Sequence, residues 1–176
     1  LSVGLTPIAY PLLPRHLTLA GALTIGIPSF FLALAPSSGT FGSQGFLRDV
    51  ARVAVPAGAS AGLGVLASYF FALNVANLPL RDARTVATSV LVLVGLYLIL
   101  ALEAEGRKRG AAVSALCAAL AALYVLVLLF HPARSFFGLS GLGFAIAAIS
   151  LVGAALAMAG LWLSDDQFVP GRRAPS

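Results

Sequence analysis

Long apolar runs fill most of this chain, and short clusters of charged and turn-forming residues separate them. Five runs are long enough to cross a lipid bilayer as α-helices, which takes about 17–25 residues. The predicted spans are residues 17–35, 53–76, 85–102, 111–130 and 139–163. None of them contains Asp, Glu, Lys or Arg. The pattern therefore predicts an all-α polytopic membrane protein with five full transmembrane helices.

The composition agrees with this prediction. Of the 176 residues, 60% are hydrophobic and 10% are charged, whereas about 25% are charged in ordinary soluble domains. A water-soluble globular enzyme is therefore excluded. The net charge of +5 comes from basic residues between the apolar runs, as in membrane anchors. The basic residues are not interleaved with aromatic residues, as they are in proteins that bind single-stranded nucleic acid. We thus expect the lipid bilayer as a partner and no nucleic acid.

The distribution of Lys and Arg predicts the orientation of the spans. With five spans, alternate loops lie on the same side of the membrane. One side carries seven basic residues, namely Arg48, Arg52, Arg107, Lys108, Arg109, Arg172 and Arg173. The other side carries four, namely Arg15, Arg81, Arg84 and Arg134. Because basic residues favour the cytoplasmic side, we expect the C-terminus to be cytoplasmic.

The first span contains a helix-breaking sequence near its middle. Pro28 removes a backbone donor, and Gly26 lowers the cost of leaving the helix. A break there exposes carbonyl oxygens that can coordinate a cation, although a kink that improves packing is the alternative. The hydroxyls of Thr24 and Ser29 flank this point, either as ligands or to satisfy freed backbone groups. These four residues are the candidate ion pathway.

Other candidate chemistry is sparse. Intramembrane carboxylates are the usual mark of a cation path, and the spans contain none. His16 and His131 have no cysteine or carboxylate companions that would suggest a metal site. The sequence also lacks a phosphate-binding loop and a dinucleotide fingerprint. We therefore assign no catalytic residue to this chain and leave any metal ligands unassigned.

Residues 10–36 read YPLLPRHLTLAGALTIGIPSFFLALAP. This string resembles the fifth-to-sixth transmembrane region of bacterial cation-transporting P-type ATPases. It is most similar to the mycobacterial cation-transporting ATPase E branch, which is of the calcium type. There a turn reading LPRHLTL precedes a helix that contains LTIGIP and ends in LALAP. The rest of the chain is similar in layout, with four more spans joined by short loops.

The resemblance implies that residues 1–176 form a C-terminal transmembrane domain, with residues 1–8 as the end of the family's fifth helix. The motif Asp-Lys-Thr-Gly-Thr, which carries the phosphorylated aspartate, is absent from this sequence. The resemblance thus implies that the full-length protein is an ion-translocating ATP hydrolase in a bacterial plasma (inner) membrane. Mg-ATP, the earlier helices and the cytoplasmic domains are then expected in the remainder of the same polypeptide. The chain alone is expected to be inactive and to hold no cofactor.

The chain departs from the wider family at two positions. Well-known calcium and sodium pumps carry an Asn and an Asp in the sixth helix, with a Thr before the Asp. Gly21 and Ile25 take the Asn and Asp positions here, and Thr24 matches the Thr. Two side-chain ligands are therefore lost, although divalent ions such as calcium prefer several oxygen ligands. The transported cation, calcium or another divalent ion, must draw further ligands from helices outside this chain.

Two functional hypotheses remain. In the first, the chain is the membrane part of an ATP-driven cation pump: the first span forms part of the ion pathway and four further helices act as scaffold. In the second, it is a small non-catalytic scaffold or assembly subunit of the membrane. A secondary transporter is less well supported, because the sequence shows no inverted internal repeat.

Overall fold

The computed structural model describes residues 10–34, 46–103 and 107–164. The predicted helix end at residues 1–8 lies outside these ranges. The described residues form six helices and no strand. The helices are α1 (Pro14–Leu34), α2 (Phe46–Asn74), α3 (Leu80–Glu103), α4 (Arg107–Leu129), α5 (His131–Phe137) and α6 (Phe144–Ser164).

Five of these helices, all except the short α5, are long and apolar enough to cross a membrane. A helix satisfies its backbone hydrogen bonds internally, which a segment inside hydrocarbon must do. The prediction of an all-α polytopic membrane protein is therefore confirmed.

Helix α3 lies at the centre of the bundle and contacts each of the other four spans. In its most apolar stretch of 18 residues, 50% are buried, against 33% or less in the other spans. Small and β-branched residues dominate its contact faces, which lets the neighbouring helices approach closely. The positions of the other spans thus depend on α3, and α2 and α6 also pack against each other.

Two hydrophobic cores lie on different faces of α3. Val86, Val90 and Val94, spaced by four residues, pack against residues of α2 and α6. Val92 and Leu96 pack instead in a second core that contains Leu19 and Leu23 of α1 and Leu120 and Leu128 of α4. The four-residue spacing places each set on one face of the helix. Consequently α2 and α6 lie on one side of α3, and α1 and α4 lie on the other.

The helix ends differ from the predicted spans at positions of charged and turn residues. Helix α3 begins at Leu80, five residues before the predicted span, because Pro79 precedes it and its carbonyl accepts the amides of Asp82 and Ala83. The predicted fifth span begins at residue 139, whereas α6 begins at Phe144. The residues between belong to a turn that follows the short helix α5, which ends at Phe137.

The turn after α5 is fixed to the first turns of α3. Gly138 adopts a left-handed conformation with φ of 72° and ends α5, a position that favours glycine. The amide of Ser140 donates to the hydroxyl of Thr85 at 2.8 Å. The hydroxyl of Ser140 donates to the carboxylate of Asp82 at 2.5 Å. These contacts hold the ends of α3 and α5 together.

Candidate functional site

The helix-breaking sequence of α1 forms a turn of π-helix over Ala22–Gly26. The amide of Ile27 donates to the carbonyl of Ala22, five residues earlier. Proline clashes with the carbonyl four residues before it in a regular α-helix, and for Pro28 that residue is Thr24. A wider π turn just before Pro28 provides room for the ring. The chain departs from α-helical geometry here, but it stays helical on both sides from Pro14 to Leu34.

Both hydroxyls that flank this turn bond to carbonyls of their own helix. Thr24 Oγ1 donates to the carbonyl of Ala20 at 2.8 Å. Ser29 Oγ donates to the carbonyl of Gly26 at 3.0 Å. Each hydroxyl has one hydrogen to donate and keeps its lone pairs for another contact. These bonds therefore orient the two oxygens without occupying them as acceptors.

Gly95 of α3 lies against Thr24. A Cβ at Gly95 would lie 2.6 Å from Cγ2 of Thr24 and 2.9 Å from its Cβ. Any other residue at position 95 would therefore collide with the threonine. Gly95 was not among the residues that the sequence singled out, although a small residue in a membrane helix is a signal of close approach between helices.

The π turn and α3 border a groove of about 410 Å³. Thr24, Pro28 and Ser29 line it from α1, together with Gly95 and apolar residues of α3. Three of the four predicted pathway residues thus meet at one surface. Gly26 is not part of the lining and lies on an uncovered face of α1, although its carbonyl accepts the hydroxyl of Ser29.

The groove offers neutral oxygen atoms and no carboxylate. No group of three His, Cys, Asp or Glu side chains that could hold a metal ion occurs in the part of the chain described. Calcium takes 6–8 oxygen ligands, usually with carboxylates among them. Thr24 and Ser29 could therefore contribute to a cation site but could not complete one.

Several other polar residues of the spans connect helices or bond to their own helix. Ser89 Oγ of α3 and Tyr124 Oη of α4 lie 2.9 Å apart in a buried hydrogen bond. Thr88 and Ser150 donate to carbonyls four residues earlier at 2.8 Å and 2.6 Å. Such bonds are typical of small polar residues that pack between membrane helices.

His16 is fully buried, a placement that its position beside Arg15 in the sequence did not indicate. Its Nδ1 accepts the amide of Leu13 at 3.2 Å, which caps the first turn of α1. This hydrogen bond helps to fix where α1 begins.

Comparison with known proteins identifies relatives that match most of the chain. It is 31% identical over 177 residues to the calcium-transporting ATPase CtpE of Mycolicibacterium smegmatis, which covers 97% of this chain. It is 30% identical over 161 residues to CtpE of Mycobacterium bovis, covering 89% of this chain. The resemblance to cation-transporting P-type ATPases is confirmed. A match of 34% identity to CtpE of Mycobacterium tuberculosis extends over 49% of the chain.

The chain spans about a fifth of the length of the first two relatives, 22% and 20% respectively. The similarity therefore concerns one region of those ATPases. No protein-family model and no solved structure matches the chain. The five apolar helices and these ATPase relatives together identify a multi-pass membrane protein.

Proposed function

We propose that this chain is the C-terminal membrane part of an ATP-driven cation pump, and that its first span contributes to the ion pathway. The observation that carries the proposal is the 31% identity to a calcium-transporting ATPase along 97% of the chain. In this proposal, residues 1–176 form one transmembrane domain that contains the pathway helix and four supporting helices.

The proposed pathway follows the groove between the π turn and α3. Thr24 and Ser29 would offer their hydroxyl oxygens to a passing cation, and the turn at Gly26 and Pro28 would offer carbonyl oxygens. All these ligands are neutral, so the negative charge that a divalent ion requires would come from helices outside this chain. Calcium is the proposed cation because the relatives are named for it.

ATP hydrolysis is not assigned to the residues of this chain. The sequence has no phosphate-binding loop or Asp-Lys-Thr-Gly-Thr motif, and the described residues include no acidic cluster that would hold magnesium. These residues do not fit Mg-ATP. In the proposal, Mg-ATP and the cytoplasmic domains belong to the remainder of the same polypeptide, and the chain transmits their motion through its helices.

We propose a cytoplasmic C-terminus, because by chain position seven of the eleven basic residues lie on the same side of the membrane as the C-terminus and basic residues favour the cytoplasmic side. Helix α1 then runs from outside to inside. The pump would lie in the plasma membrane of a bacterium.

A chimera tests the proposal. The chain replaces the matching region of the M. smegmatis ATPase, and calcium-dependent ATP hydrolysis is measured in membrane vesicles. We expect calcium-dependent hydrolysis above that of a control in which the same region is deleted. A chimera that inserts into the membrane at normal levels but shows no calcium-dependent hydrolysis would contradict the proposal. That result would favour a non-catalytic scaffold subunit.

A further inference from the structure

Three arginines from two helices converge on a polar pocket at the end of the bundle where α1 and α3 begin. The pocket has a volume of about 420 Å³, and Leu13, Arg15, Arg81, Arg84, Ser135 and Gly138 line it. It lies apart from the groove at the π turn. We propose that this pocket binds the phosphate group of an anionic phospholipid.

Two of these arginines lie against the backbone of neighbouring segments. Arg84 Nε donates to the carbonyl of Tyr10 at 3.0 Å, which joins the start of α3 to the segment before α1. The guanidinium of Arg15 lies so close to Gly138 that a Cβ there would collide with it. The left-handed conformation of Gly138 favours glycine, and the missing side chain leaves room for the guanidinium of Arg15.

A hydrogen-bonded turn fixes the opposite wall of the pocket. The backbone of Ser140 donates to Thr85, and its hydroxyl donates to Asp82, both on the first turns of α3. Ser135 and Gly138 are therefore kept beside the arginines of α3 before any ligand arrives. Such preorganisation lowers the entropic cost of binding.

Positive charge exceeds negative charge at this end of the bundle. Arg134 is the fourth arginine here, and a Cβ at Gly141 would lie 2.6 Å from its Nη1. Among the described residues, Asp82 is the one carboxylate at this end, and it accepts the hydroxyl of Ser140. An anion would therefore find an attractive potential here.

The chemistry of the pocket fits a phosphate group. Arginine presents planar pairs of N–H donors that match phosphate oxygens, and Arg–phosphate bonds are among the stronger hydrogen bonds in proteins. Basic pockets between membrane helices bind anionic lipid headgroups on the cytoplasmic side, and the same donor chemistry is present in this pocket.

The position of the pocket favours a lipid over a soluble phosphate. It lies at the ends of apolar spans, where the headgroups of a bilayer lie. Leu80 and Phe136 adjoin pocket residues in sequence and are 37% and 74% exposed. These side chains provide apolar surface for acyl chains beside the arginines.

Native mass spectrometry of the delipidated chain in detergent micelles tests the proposal. The probes are phosphatidylglycerol, phosphatidylcholine and inorganic phosphate, each titrated separately. Arg81→Gln is the test variant, because Arg81 is exposed and lines the pocket. Arg134→Gln is the matched control: it removes the same charge from the same end but does not line the pocket.

We expect wild type to bind phosphatidylglycerol more tightly than phosphatidylcholine. Arg81→Gln should weaken phosphatidylglycerol binding about fivefold, the effect of one arginine near a membrane surface, and Arg134→Gln should weaken it less than twofold. Arg81→Lys should bind with intermediate affinity, because lysine keeps the charge but loses the paired donors.

Two results would overturn the proposal. Equal phosphatidylglycerol affinity in wild type and Arg81→Gln, with both proteins monodisperse, would show that the pocket does not bind the lipid. Inorganic phosphate binding that depends on Arg81, without binding of phosphatidylglycerol, would assign the pocket to a soluble anion instead of a lipid. Both results are independent of whether the chain belongs to an active pump.

Discussion

Thr24 lines the candidate ion pathway and also packs against the central helix. Its hydroxyl hydrogen is directed to the carbonyl of Ala20, so its lone pairs point away from that bond. Its methyl group rests against Gly95 of the central helix. The oxygen is thus held by a hydrogen bond on one side and by packing on the other, as a defined ligand position requires.

Replacement of Gly95 tests this packing. In Gly95→Ala, the overpacking cost of about 1–3 kcal/mol opposes a gain of about 1 kcal/mol in helix propensity. We expect a net loss of about 1 kcal/mol in the free energy of unfolding in mixed SDS micelles. Thr24→Ser, which removes the methyl group, should recover part of this loss in the double variant.

Gly62→Ala is the control for this measurement. It lies in the exposed part of α2, and apart from the adjacent backbone of its own helix no atom lies within 4 Å of its added Cβ. The change should stabilise the chain by up to about 1 kcal/mol through helix propensity. Equal effects of the two glycine substitutions would argue against a close contact between Gly95 and Thr24.

At the scale of elements, the π turn is what distinguishes α1 from the other spans. Helix α2 also contains an internal proline, Pro56, yet α2 is α-helical from Phe46 to Asn74. The turn in α1 therefore depends on more than proline. Helix α1 differs from α2 in two local features. A threonine and a glycine precede Pro28, and the helix contacts Gly95.

Pro28→Ala tests whether the turn matters for transport. The variant regains a backbone donor and loses the ring clash, so a regular α-helix becomes accessible and Ser29 would rotate relative to the groove. We expect the chimera's calcium-dependent hydrolysis to fall roughly ten- to a hundredfold, as for other small misplacements of ligands. The melting temperature should stay equal or rise.

Pro56→Ala provides the matched control. It makes the same change within another span and leaves the groove untouched, so hydrolysis should remain close to that of the parent chimera. Full activity in Pro28→Ala would indicate that the π turn has no role in the pathway.

The spans could be predicted from the sequence because apolar length and the absence of charge are local properties. Helix ends were harder to predict. Helix α3 begins at Leu80 because of the backbone bonds to Pro79, and α5 is too short to produce an apolar run. In α1, glycine and proline indicated a departure from α-helix, but the form of a π turn depends on packing. The contact between Gly95 and Thr24 joins residues 71 positions apart, which sequence periodicity does not reveal.

At the scale of the whole molecule, α3 organises a bundle whose two ends differ in chemistry. The end that holds the arginine pocket carries four basic residues, and the other side of the membrane carries seven by chain position. In the proposed orientation the arginine pocket faces the outside. The groove at the π turn lies part-way along α1, between these two ends.

Cysteine labelling tests this orientation. Cys117 is the single cysteine and is buried, so Cys117→Ala provides a background without it. We expect a membrane-impermeant maleimide applied to intact cells to label Ser135→Cys and to leave Ser176→Cys unlabelled until the membrane is opened. The reverse pattern would invert the orientation, and labelling of both from outside would contradict five spans.

The most direct test of the proposed ion pathway is the calcium concentration that half-activates ATP hydrolysis in the chimera. Thr24→Ala should raise it about two- to twelvefold, as expected for one neutral oxygen contact of 0.5–1.5 kcal/mol, and Thr24→Ser should keep it close to that of the parent. Thr18→Ala, which removes a similar hydroxyl bond to Pro14 on the same helix, should leave it unchanged. If Thr24→Ala and Thr18→Ala both match the parent chimera, Thr24 does not contribute to the cation site.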